Sequence, residues 1–240
     1  DFVSGFTPPT TFVSTNLDFS TFAPLQSLVN QGRIAKSVVV QIGSQQVGIV
    51  GATTTDLPFV SSPQPVIVNA LLPAIQQEVD HLYFDLGVNK IILISHLQGL
   101  TSEAALIPLL QRVDVVVGGG GGELIADADD LLIPGDTRFT TDLGGTEYPR
   151  VITDLDGRHI PLVTTRGDFR YVGRLVVGFD AQGEVASYND PVDGPVRVSA
   201  IAPDAVSPDP VVQAMVVDPV AAYVAGLQAD VIGQAQVALD

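Results

Sequence analysis

The sequence has no cysteine and a single methionine, and its basic residues are few. The lack of cysteine excludes disulfides, thiolate-bound zinc and a cysteine nucleophile, and it leaves the cellular compartment open. Only 11 lysines and arginines stand against 27 acidic residues, for a formal net charge of -16. Such a charge repels phosphate backbones and anionic lipid, so we expect no polymeric nucleic acid as a partner. No apolar run is long enough to predict a membrane span.

The chain is long enough to bury a substantial core. Its 240 residues are 46% hydrophobic, which is typical of one large globular domain or two small ones. The sequence begins at Asp1, without a methionine or a basic, apolar leader. We therefore expect a piece cut from a longer protein.

Two apolar segments, residues 90–94 and 113–117, are typical of buried parallel strands, and a helical pattern at 101–111 connects them. This βαβ unit places Ser95 and His96 after its first strand. Five consecutive glycines, residues 118–122, and then Glu123 follow its second strand. Because ligands bind at the carboxyl ends of parallel strands, the sequence predicts a site where these two segments meet.

Regular patterns extend over most of the chain. The first half predicts a short strand at 11–16, a hairpin with arms at 37–42 and 47–51, a helix within 63–86 that Gly87 ends, a helix at 101–111 that Thr101 caps, and one or two helical turns at 124–132. Residues 134–147 predict a surface loop. The second half predicts an antiparallel meander with strands at 150–153, 160–165, 171–180 and 184–188, then a helix at 211–227 and a final strand at 230–240.

Four segments carry a family pattern: residues 11–18, the end of the hairpin at 47–54, the block at 87–97 with Ser95-His96-Leu97, and residues 167–175. Together they resemble the amino-terminal domain of the 5'-nucleotidase family of calcineurin-like metallophosphoesterases. The resemblance implies an α/β fold, a mixed-sheet αββα sandwich that is incomplete at its amino terminus. It divides the chain into a partial metallophosphoesterase-like domain at 1–229 and, at 230–240, the start of a linker to a carboxy-terminal domain.

The resemblance also implies a chemistry, in which two divalent cations, zinc or manganese, activate water and neutralise phosphoryl charge. In that family the histidine matching His96 binds a metal ion, and the motifs Asp-x-His and Gly-Asn-His-Asp/Glu are expected before residue 1. The family's Gly-Gly-His-x-His is replaced here by the glycines at 118–122. Glycine has no side chain to bind a metal, so Glu123 is the nearest substitute, and His96 and Glu123 are the predicted metal ligands.

Several of these features allow a second interpretation. The glycines could cradle a phosphate group with their amides, or they could form a flexible or tight turn, which the acidic residues after them favour. His96 could close the sheet by hydrogen bonding instead of binding metal. Arg170 and Arg174 could steer an anionic substrate or form ion pairs. His81, His159 and the acidic residues at 127–130 are predicted to lie on the surface.

Two functions remain open. The first is a fragment of a metal-dependent phosphate-ester hydrolase, 5'-nucleotidase-like or phosphatase-like, whose parent binds divalent metal ions and a small phosphate ester such as a nucleotide, and whose isolated chain is weakly active or inactive. The second is a noncatalytic binding or structural module that keeps the fold without its metal site. We expect a secreted or periplasmic protein. Because missing strands expose apolar edges, we also expect a homodimer or a retained, separately cut amino-terminal peptide.

Overall fold

A computed structural model describes residues 3–5, 10–63, 65–140, 147–188, 191–229 and 233 of the chain. The chain divides into two units, Asp1–Arg197 and Val198–Asp240. The predicted final strand at 230–240 lies outside the described residues except for Gly233, so it stays a prediction, as do the predicted domain boundaries.

The first unit contains fourteen described strands, many of them short. They are β1 Phe12–Val13, β2 Leu17–Asp18, β3 Ile34–Ala35, β4 Ser37–Ile42, β5 Gln45–Thr53, β6 Ile67–Val68, β7 Ile91–His96, β8 Val115–Val117, β9 Arg150–Thr153, β10 His159–Val163, β11 Tyr171–Arg174, β12 Gly178–Phe179, β13 Val185–Ser187 and β14 Gly194–Arg197. Its α-helices are α1 Ala23–Asn30, α2 Leu57–Val60, α3 Leu71–Asp80 and α4 Leu100–Leu106. Short 3-10 segments occupy Val3–Gly5 and Ile107–Leu109, and a π-helical turn, His81–Asp85, extends α3.

A six-stranded mixed sheet organises this unit, in the order β4-β5-β7-β8-β10-β9. Strands β5, β7, β8 and β10 are parallel to their neighbours in the middle, and antiparallel β4 and β9 form the edges. Strand β7, helix α4 and strand β8 form the predicted βαβ unit, which is confirmed. Four two-stranded sheets lie outside the main one, pairing β1 with β3, β2 with β6, β11 with β14 and β12 with β13.

The core lies between this sheet and the helices α3 and α4. Leu93 of β7 and Ile75 of α3 are fully buried, and Ile107 follows α4 into the same cluster. On the face that meets these helices, Ile91, Leu93 and Val116 are fully buried, whereas Ile94 and Val117 on the opposite face are 37% and 38% exposed. Burial contributes about 25 cal/mol per Å² of apolar surface, so the helix-covered face provides most of the hydrophobic stabilisation of these strands.

Several predicted elements are wrong in extent. The helix predicted within 63–86 lies in that range and is followed by Gly87 as predicted, but it begins only at Leu71, because residues 65–70 hold the short strand β6 and an extended lead into the helix. The helix predicted at 101–111 ends at Leu106 as an α-helix, since Pro108 lacks the amide that would continue it and a 3-10 turn follows. Its N-cap is Gly99, and Thr101 lies inside the helix. Of the strand predicted at 11–16, only Phe12–Val13 is a strand, and β2 begins after it at Leu17.

Two further predictions fail for reasons of tertiary structure. Residues 124–132 form no helix; Leu124, Ile125 and Ala126 are buried in irregular backbone. The second half is not a simple meander, because β10 pairs in parallel with β8 as well as antiparallel with β9, and β11 pairs with β14. The predicted surface loop at 134–147 has no regular structure over its described part, and residues 141–146 lie outside it.

The second unit contains one long helical segment, Pro210–Ala229, made of α5 Pro210–Val212, a π-helical turn Gln213–Val217 and α6 Asp218–Ala229. Asp209 caps it, since its Oδ1 accepts hydrogen bonds from the amides of Val211 and Val212. The predicted helix at 211–227 is confirmed. By length and composition, with a mean hydropathy of 1.5, this exposed helix is long and apolar enough to cross a membrane, contrary to the sequence expectation. Asp218 and Pro219 lie within it, at the start of α6, and one helix of this kind is weak evidence for a membrane span.

Candidate functional site at the carboxyl ends of the parallel strands

The two segments that the sequence places at strand ends do meet. His96 is the last residue of β7, and the glycine run, residues 118–122, follows β8 directly. The amide of Leu97 donates a hydrogen bond of 3.1 Å to the Gly119 carbonyl, which ties the residue after His96 to the run. The amide of Gly118 donates to the Val163 carbonyl at 2.8 Å, which ties the same run to β10. The predicted meeting of these strand ends is therefore confirmed.

The imidazole of His96 packs against the bend made by Gly120. A Cβ atom on Gly120 would lie 2.8 Å from His96 Cδ2 and 2.9 Å from His96 Nε2, closer than real Cβ contacts allow. Gly120 also has a φ of +90°, which side chains rarely adopt. The His96 side chain is exposed to solvent on its other side. A larger residue at 120 and this orientation of His96 exclude each other.

Three more glycines of the run are in tight contact. A Cβ on Gly119 would lie 2.8 Å from the Ser95 carbonyl oxygen, and one on Gly118 would lie 3.2 Å from Glu103 Cδ. A Cβ on Gly121 would overlap the Glu123 carboxylate. Gly122, in contrast, has no atom within 4 Å of that position. The run is thus a closely packed turn, and at four of its five positions the missing side chain makes room for a neighbour.

Glu123, the other predicted metal ligand, caps helix α4. Its Oε1 accepts a hydrogen bond of 3.2 Å from the amide of Leu100, the first residue of that helix. The carboxylate therefore lies at the positive end of the helix, where a negative charge is stabilised. Glu123 does the capping that the sequence assigned to Thr101. Its role as a metal ligand stays a prediction.

A second glutamate beside the glycine run was missed by the sequence interpretation. Glu103 is only 1% exposed, and its Oε1 accepts a hydrogen bond of 2.9 Å from the Ser95 hydroxyl. Its Oε2 is buried without a hydrogen-bond partner in the part of the chain that the structure describes. Burial raises the pKa of Glu103, while the Ser95 hydroxyl and the nearby amides of Leu97 and Gly119 act to lower it.

The helical spacing of the sequence could have predicted that Glu103 is buried. Leu100, Glu103, Ala104 and Ile107 lie at i, i+3, i+4 and i+7, and all four are buried. These positions form the core-facing stripe of an amphipathic helix. A glutamate in such a stripe is an exception that marks a place to look for a polar partner.

Asn16 secures the end of the neighbouring strand β5 and was also missed. It is fully buried; its Oδ1 accepts from the Thr53 amide at 2.9 Å, and its Nδ2 donates to the Thr53 carbonyl at 2.8 Å. Thr53 pairs in register with His96, and the amide of Thr54 donates to the His96 carbonyl at 2.9 Å. Asn16 therefore holds the strand end on which the His96 backbone rests.

The donors present do not make a complete metal site. Over the described ranges, no group of three or more His, Cys, Asp or Glu side chains could hold a metal ion. A catalytic zinc uses three protein ligands, and a pair of cations needs more. His96 and Glu123 could supply part of such a site, and no catalytic step through a metal follows from them alone.

Other candidate residues form structural contacts. Arg170 pairs with the buried Asp136 at 3.1 Å, as the ion-pair interpretation predicted. His81 is exposed and bonded to Asp85, and His159 is exposed on β10, so both lie on the surface as predicted. A cavity of about 600 Å³ adjoins the glycine run and is lined by Tyr148, Val163, Thr164, Arg166 and Phe169, among others.

The acidic stretch after the run is folded more tightly than a solvated surface. Asp130 Oδ2 accepts a 2.7 Å hydrogen bond from the Asp127 amide, and Asp127 Oδ1 accepts from the Tyr148 amide at 3.0 Å. The Arg138 guanidinium donates to three backbone carbonyls of this stretch. These carboxylates therefore cap a turn.

Comparisons with known proteins agree with the family resemblance of the sequence. No family model matches the chain. The chain is 34% identical to the 5'-nucleotidase of Mus musculus over 163 residues, which cover 67% of this chain and 27% of that protein. It is 30% identical to the apyrase of Anopheles gambiae over 161 residues, with the same two coverages. The chain thus spans about a quarter of the length of the curated relatives it matches.

A solved structure is similar over nearly the whole chain. The 5'-nucleotidase precursor from Thermus thermophilus superposes with a TM-score of 0.72 at 30% sequence identity, covering 95% of this chain and 40% of that one. This similarity confirms the predicted fold class, a mixed-sheet α/β sandwich of metallophosphoesterase type.

Proposed function

Because this chain belongs to the 5'-nucleotidase family, in which it corresponds to the amino-terminal domain, we propose that it is part of a metal-dependent hydrolase of phosphate esters such as nucleotides. The observation that carries the proposal is the position of His96, at the carboxyl end of β7 and against the glycine run. Parallel α/β sheets bind ligands at this end of their strands. In the proposal His96 and Glu123 are ligands of divalent metal ions, zinc or manganese.

The proposed role of the chain's own residues is to hold one side of the site. The bond from the Leu97 amide to the Gly119 carbonyl, together with Asn16 on Thr53, fixes the backbone on both sides of His96. The missing side chain of Gly120 makes room for the imidazole against the run. Bound divalent cations would activate water and neutralise charge on phosphoryl oxygens. The remaining ligands are proposed to come from an Asp-x-His and a Gly-Asn-His-Asp/Glu motif elsewhere in a longer parent protein.

Turnover of p-nitrophenyl phosphate and metal content test the proposal. We expect the 240-residue chain to bind less than a full pair of metal ions and to be weakly active or inactive. We expect the parent protein to hydrolyse p-nitrophenyl phosphate. In the parent, His96→Ala should lower kcat/KM by about a hundredfold or more, as loss of an electrostatic contribution does. His81→Ala is the matched control, since this exposed imidazole is bonded only to Asp85 on a surface turn.

Two results would contradict this assignment. Stoichiometric loading of two metal ions in the isolated chain would refute its inactivity. A parent in which His96→Ala and His81→Ala behave alike would remove His96 from the site.

The second candidate function is a noncatalytic module that keeps the fold without its metal site. It is favoured by the glycines that stand where a family member would carry ligands, and by the incomplete donor set of the described residues. The upstream sequence of the parent discriminates between the two. Absence of both expected motifs there would favour the module, and their presence would favour the hydrolase.

We also propose export to the periplasm or the cell exterior, in keeping with the precursor form of the Thermus protein. Association is proposed on the basis of exposed apolar side chains. The edge strand β4 exposes the side chains of Val39, Val40 and Ile42. An edge strand has backbone groups that can pair with a strand of another chain. Sedimentation combined with intact-mass analysis tests this, because a single 25.2 kDa species that sediments as a monomer would contradict both a homodimer and a retained peptide.

A further inference from the structure

One buried carboxyl group touches both halves of the candidate site. Glu103 of α4 accepts the Ser95 hydroxyl at 2.9 Å, and Ser95 is the residue before His96 in β7. The same carboxyl lies beneath the first glycine of the run, where a Cβ on Gly118 would be 3.2 Å from Glu103 Cδ. The strand end and the loop are therefore linked through a single side chain.

The contact between Glu103 and Ser95 affects His96 because Ser95 and His96 are consecutive residues of β7. Successive side chains of a strand point to opposite faces, so Ser95 faces α4 while His96 faces away from it. A hydrogen bond that holds the Ser95 side chain also sets the peptide between Ser95 and His96. On its far side the His96 ring rests on Gly120, within the run that Glu103 supports at Gly118.

Helix α4 supports the run at both of its ends. Glu103 lies under Gly118, and Glu123, just past the last glycine, bonds the amide of Leu100. Gly120, against which the His96 ring packs, lies between Gly118 and Glu123 along the chain. Residues in the first turn of α4 thus contact both ends of the glycine run.

Glu103 differs from a glutamate that only fastens a helix to a sheet. Glu78 on α3 is the comparison: it is 9% exposed, and its Oε1 accepts the Ser37 hydroxyl at 2.6 Å. Ser37 opens β4, an edge strand separated from β7 by β5. Glu103 in addition keeps one buried oxygen without a hydrogen-bond partner in the described chain, which is costly and uncommon in folded proteins.

We propose that Glu103 is a positioning residue, which sets the orientation of His96 against the glycine run through Ser95 and Gly118. This inference rests on the proposed function, because it gives His96 a place in the site. The coupling that it describes, among Glu103, Ser95, Gly118 and His96, exists without metal or substrate.

The test uses the full 240-residue chain and two nuclear magnetic resonance readouts that need neither metal nor phosphate ester. The first is the Hε1 resonance of the His96 ring. The second is hydrogen exchange of the Leu97 amide, whose bond to the Gly119 carbonyl joins strand and loop. The variants are Glu103→Ala, Glu103→Gln and Ser95→Ala, and the matched control is Glu78→Ala.

We expect Glu103→Ala and Ser95→Ala each to shift the His96 resonance and to raise Leu97 exchange about fivefold or more, as loss of one hydrogen bond would. Glu103→Gln should restore both readouts, because its amide can still bond the Ser95 hydroxyl. Glu78→Ala should leave both unchanged at equal overall stability. If Glu103→Ala does not fold, Ser95→Ala alone decides, since it removes only a hydroxyl.

The inference is overturned if Ser95→Ala and Glu103→Ala leave the His96 resonance and Leu97 exchange as they are in Glu78→Ala. It is also overturned if Glu103→Gln behaves like Glu103→Ala. Failure of the proposed function is a separate result. A parent without phosphate-ester turnover, but with these shifts, would refute the hydrolase and leave the positioning role of Glu103 intact.

Discussion

Each end of the unit formed by β7, α4 and β8 buries a carboxyl group, and the two carboxyl groups differ in their hydrogen-bond partners. At the amino end, Asp114 Oδ2 accepts the Ile91 amide at 2.7 Å and Oδ1 accepts Arg158 at 3.0 Å. At the carboxyl end, Glu103 has one bonded oxygen and one buried oxygen without a hydrogen-bond partner among the described residues. Arg158 also pairs with the buried Asp154 at 2.9 Å, so the amino end is a closed network of charges.

The difference separates stability from function within one supersecondary unit. Burial raises the pKa of Asp114 to about 7, but the removal of one partner from such a network is costly, so the network holds the amino end in place. The Glu103 oxygen that is buried without a hydrogen-bond partner in the described chain costs stability, and such costs gather where a structure serves a site. The comparison therefore describes the amino end as scaffold and supports the site proposed at the carboxyl end, and three experiments test it.

The largest effect is expected at the amino end. Arg158→Met leaves Asp114 and Asp154, both almost fully buried, without their cation. Loss of one partner of a buried ion pair costs about 3–5 kcal/mol, and we expect the lower part of this range because Arg158 keeps some contact with solvent. Urea unfolding at pH 8 measures the loss. Arg112→Met is the control, because its ion pair with Asp80 is more exposed and should contribute less than about 1 kcal/mol.

A loss below about 1 kcal/mol for Arg158→Met would contradict the scaffold assignment, because it would place this network in the range of surface ion pairs.

A smaller effect is expected from the bend in the glycine run. Gly120→Ala places a Cβ against the His96 ring at a positive φ, which costs about 1–3 kcal/mol in strain. Gly122→Ala is the matched control two residues away. It has open space and no positive φ, so its unfolding free energy should stay the same or rise by about 0.4–1 kcal/mol. Equal unfolding curves for the two variants would show that the run is loose.

The smallest effect concerns the pH dependence of Glu103. Because burial raises its folded-state pKa above the ordinary value, the folded protein holds this proton where the unfolded chain has lost it. The contribution of Glu103 to stability therefore falls as the pH rises above its unfolded pKa. Glu103→Gln, which carries no charge, should gain about 1 kcal/mol over the native chain at pH 8 and nothing near pH 4. Parallel pH profiles of urea unfolding for the two proteins would contradict this.

The elements of the site followed from local patterns in the sequence. Apolar runs predict β7 and β8, and their spacing around a helix predicts the βαβ unit, because a parallel pair needs a crossover of that length. The meeting of His96 with the glycine run is a consequence of that topology. The same patterns failed at 124–132, where apolar residues are buried by packing and not by helical periodicity.

The contacts within the site could not be predicted from these local patterns. The sequence marks Thr101 as the cap of α4, yet the cap interaction comes from Glu123, 23 residues from the amide it bonds. Asn16 reaches Thr53 over 37 residues. Such long-range partners depend on where the strands bring the chain together, and nothing in the local spacing states it.

The sequence by itself determined which strands are buried, that β7 and β8 run in parallel around a helix, and that His96 and five glycines stand at their carboxyl ends, because hydrophobic period and chain connectivity are local properties. Only the tertiary structure decided that the glycines are a packed turn, that one of them receives the His96 ring, and that Glu103 lies buried beneath them. Those outcomes depend on distances of a few ångströms between segments far apart in the chain, and such distances arise only when the sheet and its helices are packed together.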